Sequence, residues 1–302
     1  MIPVALVAAR FVHFVGMMSA FGAFAYAGSL PRTGEAGTGV QGLALGASAA
    51  IAVAALTIFV ATVVGLGDGV GALTDRALWA TVLGATDFGR VWIVHAAFAM
   101  VLLAIALRRR ARPSLMLDRL GIIVCGGLLA TTAATGHAQM ENGLAELVHR
   151  AADTIHIVAA AVWIGALLVF LVLLRHARDT EDGSDVAARL ARFHGTGTAA
   201  VLLLAISGLV NAWFLVGGVG ALFTTGYGQL LLAKLLLFAF MLALAADNRL
   251  RLVPALAAGV ANGKAAAASA ALAARIRLEL ILGILVLGTV AVLGTLEPAT
   301  SA

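Results

Sequence analysis

Gly136-His137-Ala138-Gln139-Met140 leads through a short polar connection to His149, Asp153 and His156, then into an apolar run through Trp163-Ile164-Gly165 to Leu174. The run decides the fold. A helix of about 20 apolar residues crosses a bilayer, whereas barrel strands alternate over about 10. In lipid every backbone amide must be bonded within the chain, so the segment is a helix. Two histidines stand at its edge. An imidazole inside a membrane is costly and faces a partner or a watery cavity, and imidazole is the commonest metal ligand.

The rest of the chain has the same character. Of 302 residues, 62% are hydrophobic and 12% charged, and mean hydropathy is +1.04. Soluble domains carry about 25% charged residues. The fold class is therefore an all-α polytopic membrane protein in a lipid bilayer. The apolar runs place eight spans near residues 11–30, 42–66, 89–107, 120–137, 154–174, 195–217, 228–246 and 278–296. Residues 1–9 extend the first helix or lie at the interface, and no cleavable signal peptide is expected, because a positive n-region is missing. The alanine-rich segment 255–274 reads as a loop or surface helix. One cysteine, Cys125, allows no internal disulfide and reads as a small packing residue.

The basic pI does not imply a nucleic-acid partner, because the arginines cluster in alternate loops. Arg108, Arg109, Arg110, Arg112 and Arg119 lie between spans 3 and 4. Arg175, Arg178, Arg189 and Arg192 lie between spans 5 and 6, and Arg249, Arg251, Lys264, Arg275 and Arg277 between spans 7 and 8. By the positive-inside rule these loops are cytoplasmic and both termini lie outside, in the periplasm or its equivalent.

An internal repeat is legible. His13 and His156 each precede a glycine, Gly22 and Gly165, by nine residues. Phe88-Gly89-Arg90 aligns with Tyr227-Gly228-Gln229, Gly69-Val70-Gly71-Ala72-Leu73 with Gly218-Val219-Gly220-Ala221-Leu222, and Gly136-His137 with Gly294-Thr295. Four spans per half make the halves, 1–140 and 141–302, parallel, about an axis along the membrane normal.

Five of the seven histidines fall toward the arginine-poor face: His13, His95, His137, His149 and His156. His176 and His194 lie at the opposite face, where an interfacial imidazole needs no special role. Imidazoles from four helices at one depth can ligate a late first-row metal, and thioethers bias such a site toward Cu(I). His13, His95, His137 and His156 are thus candidate metal ligands, with Met140 beside His137. Met17 follows His13 by one helical turn and is either an auxiliary ligand or core packing, as are Met18 and Met100. His149, Asp153 and His156 share a helical face, so His149 and Asp153 are candidates to orient or relay. In the repeat, His95 corresponds to Lys234 and His137 to Thr295. An ammonium cannot ligate, so Lys234 is expected to pair with an acid or to receive a partner's carboxylate. Asn211 reads as interhelical glue and Arg10 as a snorkelling cation. Gly65-Leu66-Gly67-Asp68-Gly69 lacks the strand–turn–helix context of a phosphate loop. Neither a Walker motif nor a Ser-His-Asp arrangement is evident, so enzymatic activity is not expected.

The run from His156 to Gly165, with Arg192-Phe193, Gly208-Leu209-Val210-Asn211, Thr225-Gly226-Tyr227-Gly228-Gln229, Lys234, Asn248-Arg249 and Arg277-Leu278-Glu279-Leu280, resembles the copper resistance protein D (CopD) family. The first half, with Arg10-Phe11-Val12-His13, fits more loosely. The resemblance implies an eight-span inner-membrane protein of copper homeostasis that moves copper inward. It also implies a periplasmic copper-binding partner of the CopC type as a separate chain. The family is distantly similar to membrane cytochromes b, so a b-type haem electron carrier with bis-histidine ligation is the alternative function. A copper sensor, or a scaffold for a periplasmic partner, is a third.

The arginine pattern makes a direct prediction. A cysteine placed at Ala302 is expected to react with a membrane-impermeant maleimide in intact cells. Protection of that position would reverse the topology.

Overall fold

The computed structural model describes residues 2–27, 35–67, 69–135, 143–180 and 184–300. Among the described residues there are α1 (Ile2–Ala27), α2 (Glu35–Leu66), a 3-10 turn (Gly69–Thr74), α3 (Arg76–Ala85), α4 (Asp87–Ala111), α5 (Leu115–Ala134), α6 (Gly143–Thr180), α7 (Ser184–Val216), α8 (Ala221–Thr224), α9 (Gly226–Asp247), a π turn (Asn248–Leu252), α10 (Val253–Ala261) and α11 (Ala265–Leu293). Eight of these segments are long and apolar enough to cross a membrane, with α9 and α10 counted as one. His137, Met140 and Asp68 lie outside the described residues.

The elements start where sequence chemistry starts them. Ser114 caps α5 by accepting from the Leu117 amide, and Asp75 caps α3 through the amides of Ala77 and Leu78. The arginines Arg108–Arg110 close α4, where cations suit the helix dipole. Two caps have the same construction. Thr86 accepts from Gly89 N and donates to Val82 O, and Thr225 accepts from Gly228 N and donates to Ala221 O. At Gly89 and at Gly228 a Cβ would collide with that same carbonyl, so only glycine permits the turn.

Of the alternatives open at both places, the helical one holds. Residues before 11 extend the first span, because α1 is helical from Ile2. The segment 255–274 is helical over most of its length. It forms α10 and the start of α11, with Leu256, Ala265 and Leu272 buried. Pro254 sits in the first turn of α10, and its missing N–H cannot continue the α-helical ladder, which widens locally into the π turn.

Helices α6 and α1 form the centre, with 61% and 50% of their spans buried against 11% for α9–α10. Their contact is made by glycines. A Cβ on Gly165 would lie 2.7 Å from Gly22 Cα and 2.8 Å from the Met18 carbonyl, so the two backbones touch. Around this crossing lie Met17, Met18, Phe24, Ala161, Ala166 and Leu174, all buried. At the arginine-rich end α4 and α5 are joined by a buried ion pair, Arg109 Nε to Asp118 Oδ1 at 2.5 Å, with the guanidinium over the Phe24 ring at 5.7 Å. Tyr26, Phe170 and Phe193 pack together near that end, joining α1, α6 and α7.

Gly165→Leu is expected to force α1 from α6 and lower stability by about 3 kcal/mol, the upper range for overpacking a close contact. Gly46→Leu, at a glycine with open space where its Cβ would stand, should change the melting temperature little. Thermal melts of the two detergent-purified variants test the contrast, and equal shifts would deny the crossing its role.

Candidate metal site

Nine residues before Gly22, toward the arginine-poor end, α1 carries His13. α4 carries His95 eight residues after its start at Asp87. At about 1.5 Å per residue, Val4 to His13 and Asp87 to His95 are both about 12–14 Å, so the two imidazoles lie at one depth. They meet there: His13 Nε2 and His95 Nε2 are 3.0 Å apart, and the ring centroids 4.9 Å. Both rings are buried, His95 at 0% exposure and His13 at 3%.

The hydrogen-bond network assigns the tautomers. His95 Nδ1 is 2.7 Å from Thr131 Oγ1 on α5, and that hydroxyl also lies 3.0 Å from the Gly127 carbonyl and 2.9 Å from that of Leu128. A hydroxyl has one proton, and a helical threonine gives it to its own preceding turn. Thr131 therefore accepts from His95 Nδ1–H, and His95 Nε2 keeps its lone pair. His13 then donates its Nε2–H to His95. That leaves His13 Nδ1 buried without a hydrogen bond of ordinary geometry, with the Ile51 backbone of α2 the polar group that bears on it. Both rings are neutral, and one Nε2 lone pair is exposed to whatever replaces the shared proton.

The site's walls also restrict motion. Trp92 stacks on His95 at 4.8 Å, Phe88 on Trp92 at 5.6 Å, and Phe59 on Phe88 at 6.1 Å. On the other side Met17, one turn from His13, is buried, and its Sδ lies 3.5 Å from Thr132 Oγ1, whose proton goes to the Leu128 carbonyl at 2.8 Å. Met17 therefore both packs and borders the pair. Met100, by contrast, is exposed on α4, and Cys125 is buried in the core.

Among the described residues no third His, Cys, Asp or Glu completes a metal-holding group with this pair. His156 belongs to a second constellation on α6, α7 and α9. Its Nδ1 is 3.1 Å from Ser207 Oγ, which gives its own proton to the Leu203 carbonyl, so His156 too is held with an Nε2 lone pair. Asp153 accepts from Asn211 at 3.3 Å rather than from an imidazole. Lys234 bears electrostatically on both Asp153 and His156. His149 is buried and stacks on Phe214 at 4.7 Å, and Glu146 pairs with Arg150 one turn away. Arg10 leans inward over Phe14, at 5.8 Å, and against Gly294 of α11. His194 is exposed. The functional residues that sequence reasoning missed are Thr131, Ser207 and Trp92. Trp92 alone left a signal, one turn before His95.

The family model for copper resistance protein D matches residues 187–293, and that for its N-terminal domain matches residues 1–147. Copper resistance protein D of Pseudomonas syringae pv. tomato is 38% identical over 72% of this chain and 71% of its own length. Inner membrane protein YebZ of Escherichia coli K12 is 31% identical over 97% of this chain and 98% of its own. Copper transport protein CutJ of Bacillus subtilis 168 is 32% identical over 60% of this chain and 34% of its own. No solved structure matches. With relatives of this identity aligned over most of their lengths, and eight apolar helices of the expected kind, the chain belongs to the copper resistance protein D family.

Proposed function

We propose that this chain is a copper carrier of the bacterial inner membrane that takes copper at His13 and His95 from the periplasmic side and passes it toward the cytoplasm. The observation that carries the reading is the His13–His95 pair: two buried neutral imidazoles from different helices, Nε2 facing Nε2 at 3.0 Å, one of them oriented by Thr131. Copper here is cargo. A first-row ion sits about 2.0 Å from each imidazole nitrogen, so the nitrogens must part to about 4 Å and the shared proton must leave. His13 can carry that proton on Nδ1, where the Ile51 backbone is the available acceptor. Two imidazoles with the Met17 thioether in reserve suit Cu(I). His137 and Met140 follow Thr131 by six and nine residues and are proposed as outer ligands that receive copper from a periplasmic CopC-type protein. His156, with its oriented lone pair, is the proposed next station.

We read the halves 1–140 and 141–302 as parallel repeats. The twin threonine caps and the Gly22–Gly165 crossing support this. In that register Lys234 stands where His95 stands, so the second half carries a tethered ammonium in place of a bound ion.

The geometry gives haem no comparable support. A porphyrin with its iron between these rings would have to separate α1 from α4 where Nε2 already meets Nε2, and Trp92 fills one face of His95.

His13→Ala and His95→Ala are expected to weaken copper binding in detergent by more than 100-fold. Thr131→Val, which removes only the orienting acceptor, should weaken it by about 10-fold. His194→Ala should match the parent, and copper accumulation in cells should follow the same order. If the His13 and His95 variants bind copper like the parent while the His194 variant does not, the site is at the wrong end of the bundle. The purified protein is also expected to lack a Soret band, and a stoichiometric Soret band would restore the haem reading.

A further inference from the structure

Far from the histidines, in the arginine-rich half of the bundle, Glu279 of α11 is buried at 1% exposure. Its Oε2 accepts from Asn248 Nδ2 at 2.7 Å, across from α11 to the first residue of the π turn. Asn248 is itself only 8% exposed. Trp163 of α6 is the neighbouring side chain that bears electrostatically on the same carboxylate. The other carboxylate oxygen, Glu279 Oε1, and the amide oxygen Asn248 Oδ1 are both buried without a hydrogen-bond partner.

The surrounding charges do not neutralise this carboxylate. On α11, Arg275 stands one turn before it, but its guanidinium goes to Asp247 Oδ2 at 3.5 Å. Arg251 in the π turn goes to Asp247 Oδ1, also at 3.5 Å. Arg249 bonds Thr198 on α7. Helix α10 presents no ionisable side chain, and α6 presents Trp163 and Ile164, with Met241 of α9 above them near Gly283. Among the described residues, no cationic side chain lies within 4.0 Å of Glu279.

A buried carboxylate without a counter-cation is among the most expensive groups a membrane protein can hold, and its usual resolution is to take up a positive charge. Here two acceptor oxygens wait for one donor, at a π turn, a distortion often found at functional sites. The neighbouring arginines are engaged elsewhere, and a first-row metal would demand more ligands than one carboxylate and one amide. A proton satisfies both needs: it neutralises Glu279 and gives Oε1 something to donate. We propose that Glu279, held by Asn248 and Trp163, is a reversible proton-binding site in the arginine-rich half of the membrane.

Its place in the bundle gives the site a second meaning, which rests on the copper-carrier reading. Lys234, Met241 and Asn248 recur every seven residues along α9, and His156 and Trp163 every seven along α6, so each set shares one helix face. The polar constellation at His156, Asp153 and Lys234 is thus continued, past an apolar level at Met241, Ile164 and Gly283, by Glu279. Copper movement through the chain should therefore respond to proton occupancy at Glu279.

The test is an infrared pH titration of the purified full-length protein without copper. The parent-minus-E279Q difference spectrum is expected to show one protonated-carboxyl C=O band that grows on acidification and shifts in heavy water, and the same band should survive in Asp153→Asn. A C=O band that is absent at every pH, or present and unchanged at every pH, would overturn the proposal, since the carboxyl would then be locked in one form. If E279Q does not fold, the parent answers alone. Dicyclohexylcarbodiimide adds across a protonated carboxyl O–H to leave an N-acylurea, with no leaving group. Peptide mass spectrometry should find that adduct on Glu279 at acidic pH and lose it at alkaline pH. Labelling that ignores pH, or that never reaches Glu279, overturns the site. E279Q should bind copper like the parent yet flatten the pH dependence of copper accumulation. Unchanged pH dependence alongside an intact infrared band would leave the proton site standing and break its link to copper.

Discussion

The bundle depends on the place where α1 and α6 touch backbone to backbone at Gly22 and Gly165. Neither position admits a Cβ, and the close approach fixes the rotation and height of both central helices. Every polar group discussed above is placed by that contact. His13 and His156 stand at the same height on either side of it, each turned toward a different neighbour: α4 and α5 for His13, α7 and α9 for His156. A membrane interior offers no hydrophobic force between helices, so small residues that let backbones meet must supply the packing. The functional pair is a by-product of where the glycines lie.

Much of this was legible in the residues, for physical reasons. Lipid forbids irregular backbone, so length and hydropathy sufficed to count eight spans. The depth of His13 and His95 followed from counting residues along two helices. What escaped was set by packing. A threonine or serine in a helix normally spends its proton on its own preceding turn, and nothing in Thr131 or Ser207 says that an imidazole from another helix will donate to the same oxygen. Asp153 read as a partner for imidazole because it shares a face with two of them, yet Asn211, from another helix, is what bonds it. Residues 1–9 could be read as helix or as interface because Arg10 looked like a membrane-edge cation; its side chain lies over Phe14 and against Gly294, and α1 is helical from Ile2. The π turn follows from Pro254, but only once α9 is known to run straight into it.

The buried charges divide into two kinds. Arg109 and Asp118 neutralise each other at 2.5 Å and tie α4 to α5. Such a pair is expensive to break but has nothing left to bind. Glu279 is unlike it, since its nearest arginines are already drawn to Asp247. Lys234 falls between the two kinds, sharing Asp153 with Asn211. A chain with few charged residues thus keeps several of them inside, at separate heights along its two halves.

The rings stacked behind His95 have a mechanical corollary. Phe59, Phe88 and Trp92 lie nearly parallel, and Trp92 lies 13° from the plane of His95 at 4.8 Å. With Thr131 gripping Nδ1, the His95 ring can neither swing nor flip. His13 has no such brace: its far nitrogen has no ordinary hydrogen bond. Under the copper-carrier reading His95 is the fixed jaw of the pair, and parting the two imidazoles falls to the His13 side chain.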